Sequence, residues 1–208
     1  MEYRAVKDRC ALALDSLQLP FSTQRILAIL ASKGFKVVEV DLITLARECI
    51  GNSHYRRGAK PSEAPGIMDC SSFTKWLYGK QGIWLPRRSI QQRELGEIVN
   101  LDKLITGDLV FVSGWIDWYL ENPADGVGHV GIATGCGTIV HAANKKVGII
   151  ESPLKTFAEE ANFRGARRYI PKDHEVITFE TPPDREIEIA DDFRWILLQS
   201  LPKTKLRQ

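Results

Sequence analysis

Apolar positions follow two different periods along this chain, near 3.6 residues in its first half and near 2 in much of its second. Tyr3, Val6, Cys10, Ala13 and Leu17 recur at helical spacing and predict a first amphipathic helix. Ser22 is placed to cap a second helix carrying Ile26, Leu27, Ile29 and Leu30, with Gly34 just past its end. Asp41 is placed to cap a third over 42–50, closed by Gly51. Segment 52–69 holds Gly58, Pro61, Pro65 and Gly66 and reads as a loop. From Cys70 onward, Phe73, Trp76 and Leu77 form one apolar helical face, stopped by Gly79 and Gly82, and Ser89 opens a short helical segment over 90–95. The pattern then turns to strands at 108–112, 129–134, 138–142, 147–151 and 166–170. Helices first and antiparallel strands second define an α+β fold.

Three regions follow from this pattern. Residues 1–49 read as a helical N-terminal appendage, 50–171 as the main domain and 172–208 as a C-terminal extension. The extension carries Pro182-Pro183, an acidic cluster (Asp184, Glu186, Glu188, Asp191, Asp192) and a basic stretch over 203–207. Its Phe193, Trp195, Ile196 and Leu198 either dock a short element back on the fold or belong to a solvated, partner-binding tail. No internal repeat or low-complexity tract is present.

Composition narrows the classes. A chain of 208 residues buries one substantial core. Its 28 Lys and Arg against 26 Asp and Glu lack the one-signed charge of a nucleic-acid binder. Cys10, Cys49, Cys70 and Cys136 are scattered without a Cys-x-x-Cys pair, so neither a zinc site nor a disulfide framework is expected. The start Met1-Glu2-Tyr3-Arg4 lacks the apolar run of a signal peptide, and no stretch reaches transmembrane length. The protein is expected in the cytoplasm or exported by a non-classical route, without membrane insertion and without a cofactor.

The candidate chemistry centres on Cys70. Asp69-Cys70-Ser71-Ser72 fits a helix N-terminus, where unpaired N–H groups favour a thiolate and hold a developing oxyanion. A lone cysteine is more often a small buried hydrophobe, the reading given to the other three. His129 and His141 change the balance. Residues 129–134 and 138–142 read as a hairpin turning at Gly135-Cys136-Gly137, in which Thr134 faces Thr138 and His141 lies opposite Gly131. The two histidines are then diagonal neighbours on one face, roughly 7–8 Å apart between backbones. A base and the residue fixing its tautomer need that spacing. Buried structural histidines, or a two-ligand metal site with no third ligand nearby, are the competing readings.

The chain resembles the NlpC (NlpC/p-sixty) family of bacterial cell-wall cysteine peptidases, of the papain-like superfamily. Ile50-Gly51 with Tyr55 and Gly58 resembles the loop before the nucleophile, and Asp69-Cys70-Ser71-Ser72-Phe73 the nucleophile motif. Leu85-Pro86-Arg87-Arg88-Ser89 with Gln92 resembles the Leu-Pro-Arg-x-Ser-x-x-Gln segment. Gly107-Asp108-Leu109-Val110-Phe111 resembles the strand before the histidines. His129-Val130-Gly131-Ile132 and Ile139-Val140-His141-Ala142 resemble the histidine strands, and Ala166-Arg167-Arg168-Tyr169 the closing strand. Together they occupy roughly residues 50–170, in the family's order.

The resemblance implies a papain-like fold, with N-terminal helices on a central antiparallel sheet and the nucleophile at a helix N-terminus. It implies Cys70 as nucleophile, His129 as general base and His141 as the orienting polar residue. Tyr55, Asp69, Ser71 and Ser89 fall at substrate-binding positions. Asp69 and Ser89 match places that bind a free amino group in some members, although helix capping alone accounts for either. The implied reaction is hydrolysis of a peptidoglycan stem peptide, at the bond between γ-D-glutamyl and a diamino acid. An amidase, transacylase or deamidase on another amide, or an inactive wall-binding module, are the alternatives. Two departures flank the site: Arg56-Arg57-Gly58 stands where the family often has Trp-Gly-Gly, and residues 113–128 form a longer insert than usual. The insert's Trp115, Trp118 and Tyr119 are expected either as a mobile substrate wall or as packed core.

Overall fold

A computed structural model describes residues 3–200. In chain order the elements are β1 (Arg9–Ala13), α1 (Thr23–Ser32), β2 (Lys36–Val38), α2 (Leu42–Glu48), β3 (His54–Tyr55), β4 (Ile67–Met68) and α3 (Cys70–Lys80). Then follow α4 (Ser89–Arg93), β5 (Glu97–Val99), β6 (Leu109–Val112), β7 (His129–Ala133), β8 (Thr138–Asn144) and β9 (Gly148–Pro153). The last are α5 (Leu154–Phe157), β10 (Phe163–Arg168), β11 (Val176–Glu180) and α6 (Asp191–Leu198). The caps expected for α1 and α2 are present: Ser22 accepts from the Arg25 amide, and Asp41 from the Ile43 and Thr44 amides. Among the described residues no helix is long and apolar enough to cross a membrane.

The described residues divide into two compact units, one of 3–40, 79–84 and 172–200, the other of 41–78 and 85–171. In the first, an antiparallel sheet runs β1-β11-β2. The expected first helix is here a strand. Cys10, Ala11, Leu12 and Ala13 are all buried, so the run is apolar on every side and has no polar helical face to turn to water. A short run of that kind satisfies both periods, and pairing with β11 decides for the strand. The helical character expected of residues 1–49 therefore holds at α1 and α2 and fails at β1 and β2. The C-terminal extension docks: Phe193 and Leu197 of α6 are fully buried, and Phe193 meets Phe35 and Phe179 at ring separations of 5.2 and 5.3 Å. Trp195 of the same helix stays exposed. The basic stretch over 203–207 lies outside the described residues.

The second unit is built on a six-stranded antiparallel sheet, ordered β5-β10-β6-β7-β8-β9. Both of its faces are buried in the middle, so β6 reads Leu-Val-Phe-Val without alternation. Val110, Val112, Ala133, Ile139 and Ala166 pack with Phe157 in one cluster. His129 and Gly131 share the face of Ala133, because residues two apart on a strand point the same way. The hairpin register is the expected one: Ile132 pairs with Val140 and Ala133 with Ile139, which sets Gly131 opposite His141. Thr134 and Thr138 close the turn, hydroxyl to hydroxyl at 2.7 Å.

Candidate active site

Cys70 is the first residue of α3, and Asp69 before it acts as the cap, one carboxylate oxygen accepting from the Ser72 amide at 2.9 Å. A cavity of about 800 Å³ opens over this helix start. Cys70, His129, His141, Tyr55, Asp69, Ser71 and Ser89 all line it, so the seven residues singled out from sequence come together. Ser89 is the first residue of α4 rather than its cap, a position held by Arg88.

The histidines form a hydrogen-bonded chain. His129 Nε2 and His141 Nδ1 are 2.8 Å apart, and His141 Nε2 and Ser152 Oγ 3.0 Å. Phe157 packs on both rings, at 5.5 and 4.8 Å between centroids, and fixes their planes. With Nε2 of His129 engaged by His141, its Nδ1 is the nitrogen left for a proton from another group. That assignment puts a proton on His129 Nε2, which donates to His141 Nδ1, and another on His141 Nε2, which donates to the Ser152 hydroxyl.

Burial controls the charges. It pushes the Cys70 thiol up to about 11, and Asp69 adds to the rise; amide hydrogen bonds from Val130 and Ser71, and the Arg87 charge, pull the other way. Burial also lowers His129 to about 3, reinforced by His141 and opposed by Asp69, and it lowers His141 to about 4. A helix N-terminus alone would favour the thiolate, but here desolvation outweighs it, and the resting site is a neutral thiol beside neutral imidazoles. Tyr55 is raised by burial, then by Cys70 and Asp69.

Asp69 is saturated. Arg87 grips it with two nitrogens at 3.0 and 2.6 Å, and the Gly58 amide donates to it at 2.9 Å. The same guanidinium donates to the Ser71 hydroxyl at 2.9 Å and the Ala59 carbonyl at 2.7 Å. Arg87 thereby ties the loop before the nucleophile to the segment before α4. Its motif is visible in sequence, but its role is not.

The insert is not packed core. Trp115 is 96% exposed and Trp118 45%, which excludes the packed-core reading. Trp118 and Val127 exchange backbone hydrogen bonds at 3.0 and 2.8 Å, and Asp117 accepts from Ser113 Oγ at 2.6 Å and the Gly114 amide at 2.7 Å. Buried Arg93 holds Asp125 through two nitrogens at 2.7 and 2.8 Å. A Cβ at Gly128 would stand 2.4 Å from the Asp117 carboxylate, so the glycine permits the tie rather than supplying a hinge. These ties build a wall in which Trp115, Ile116 and Trp118 line the cavity.

A cysteine at a helix start, set against histidines on an antiparallel sheet, defines the papain-like class. The chain matches the NlpC/P60 family over residues 52–168, more than half its length, and belongs to that family. It is 33% identical over 104 residues to the gamma-D-glutamyl-L-lysine dipeptidyl-peptidase of Bacillus cereus, covering 50% of this chain and 29% of that protein. It is 30% identical over 149 residues to the gamma-DL-glutamyl hydrolase of Bacillus subtilis, covering 69% of this chain and 33% of the other. A solved NlpC/P60 family structure from Bacillus cereus superposes with a TM-score of 0.50 at 28% identity, covering 63% of this chain and 40% of that one. In each case this chain spans less than half the length of its relative.

Proposed function

We propose that the protein is a cysteine endopeptidase of peptidoglycan stem peptides, cleaving between γ-D-glutamyl and a diamino acid, with residues 50–171 as catalytic domain. The single observation that carries the reading is the hydrogen-bonded row His129–His141–Ser152, which leaves one nitrogen of His129 available within the cavity that Cys70 lines. In this mechanism Cys70 Sγ attacks the scissile carbonyl as its proton passes to His129 Nδ1. Coupling the transfer to the attack avoids forming a buried thiolate first. The Cys70 amide at the start of α3 is the proposed oxyanion donor, since Asp69 occupies the Ser72 amide and the Cys70 thiol that of Ser71. His129 then returns the proton to the leaving amine, and water hydrolyses the thioester to a free carboxylate. Tyr55, Ser71 and Ser89 are the proposed substrate contacts. Asp69, fully occupied by donors, acts by holding Arg87 and the helix start.

Relatives named for γ-glutamyl bonds support this choice of substrate. The test is to incubate the protein and its Cys70→Ala variant with defined muropeptides and identify products by mass. New termini at the γ-D-glutamyl bond, absent with the variant, are expected. Cleavage elsewhere, or an active alanine variant, would overturn the proposal.

A further inference from the structure

Of the three arginines that line the cavity among the described residues, Arg87 is spoken for and Arg57 and Arg88 are not. Arg56 pairs with Glu63 and Arg87 with Asp69, while Arg57 and Arg88, the next residues along, form no ion pair among the described residues. Arg57 and Arg88 both line the cavity and both are exposed. Among the described residues Asp69 is the only acidic side chain lining it, and Arg87 already neutralises that one, which leaves the charges of Arg57 and Arg88 without a carboxylate there. Arg88 is also held in place: its guanidinium carbon lies 4.4 Å from the centroid of the Trp118 ring, on the insert. Arg57 sits in one segment that distinguishes this chain, Arg56-Arg57-Gly58, and Arg88 stacks on the other, the insert at 113–128.

We infer that Arg57 and Arg88 form a carboxylate subsite, which reads a free carboxylate on the acyl-side residue of the substrate. A γ-linked glutamyl residue has this feature, because linkage through its side chain leaves the α-carboxylate free beside the bond that breaks. A planar guanidinium matches a carboxylate through two parallel hydrogen bonds and gains far less from a neutral carboxamide of the same shape. Trp118 orients Arg88, so the insert contributes to selectivity without touching the scissile bond. The inference rests on the proposed function for the identity of the substrate, but its test is separable.

The probe is a pair of muropeptides differing only at that group, α-carboxylate against α-carboxamide. Binding of both to the Cys70→Ala protein is measured by calorimetry, and turnover of both by the active protein. The carboxylate form is expected to bind roughly tenfold more tightly or better at low salt. That ratio is expected to fall to about one in Arg57→Gln/Arg88→Gln and to an intermediate value in Trp118→Leu. Equal binding of the two forms, absent binding of both, or a preference that survives the double substitution would overturn the subsite. A binding preference without hydrolysis would sink the proposed function and leave the subsite standing. Hydrolysis without preference would do the reverse.

Discussion

Ser152 ends the histidine row, and its removal tests whether the row fixes a tautomer. For His129 Nδ1 to accept a proton, His129 must carry its own on Nε2, and His141 must present a bare Nδ1 to it. That places the His141 proton on Nε2, 3.0 Å from the Ser152 hydroxyl. In Ser152→Ala that acceptor is gone. His141 is then free to move its proton to Nδ1 and donate to His129, which drives the His129 proton onto the nitrogen that must be empty. The loss is one hydrogen bond between neutral groups, about 0.5–1.5 kcal/mol, or roughly 2–13-fold in population. Ser152 is partly exposed in the cavity, where water supplies a weaker substitute, so a 3–10-fold fall in kcat is expected, with KM little changed and stability within about 1 kcal/mol. Ser152→Thr keeps the hydroxyl on a strand that favours β-branched residues and should restore activity. Steady-state kinetics with nitrogen-15 spectra of the imidazoles give the readout: His141 should shift from a single tautomer to a mixture in the alanine variant alone. Alanine and threonine variants that both match the wild type would refute the reasoning.

Burial of the histidines sets the pH behaviour. His129 at about 3 stays a competent base far below the ordinary imidazole value, and Cys70 at about 11 stays a thiol well above neutrality. The profile of kcat/KM should therefore be flat across neutrality, and an acid limb near 6.5 would contradict it. Imidazoles of the unfolded chain take up protons below about 6.5 that the buried ones refuse until about 3 or 4, so melting temperature should fall as pH drops through that window, and less so in His129→Phe. Gly131→Ala places a methyl 2.3 Å from Ile139 and 3.0 Å from the His141 Cβ; a loss of about 1–3 kcal/mol in a melt is expected, with a larger fall in kcat than stability alone explains. Iodoacetamide should label exposed Cys136 regardless of the site, whereas labelling of Cys70 should slow in His129→Ala and that of buried Cys10, pushed up to about 12, should need unfolding; mass mapping of the four thiols checks this.

The hairpin was legible because its signals are local. Two threonines bracket a Gly-Cys-Gly turn, and counting pairs outward fixes which residues share a face. The helix start at Cys70 was legible for the same reason, from Asp69 and the apolar spacing that follows. Strand β1 was not, because its four consecutive apolar residues carry no phase, and its partner β11 lies over 160 residues away. Ser152 was not legible either: its place beside His141 depends on the register of β8 with β9, where Ile139 faces Ser152 and a shift falls between Ala142 and Asn144. The raised thiol could not be read from a motif, since it comes from burial by segments far apart in the chain.

The insert shows how a distant pairing decides a local question. Aromatics bounded by glycines fit a lid and a core equally well. What separates them is Arg93, a buried cation 32 residues before Asp125 that must find a carboxylate or pay for its desolvation. Asp125 of the insert meets that demand together with Glu94, and the wall is tied to α4 as a consequence. The same accounting runs through the neighbouring loops: Glu63 answers Arg56, Asp69 answers Arg87, Asp125 answers Arg93. Each carboxylate is consumed by an arginine that holds a loop. Arg57 and Arg88, which line the cavity, have no such carboxylate among the described residues, and in the proposed subsite the substrate carboxylate answers them. In the proposed function, chemistry and selectivity therefore rest on different supports, the former on the α3 start and the β7–β9 strands, the latter on loops held by these pairs. Substitutions at Arg57, Arg88 or Trp118 should change which substrate is chosen while leaving the geometry of the histidine row intact.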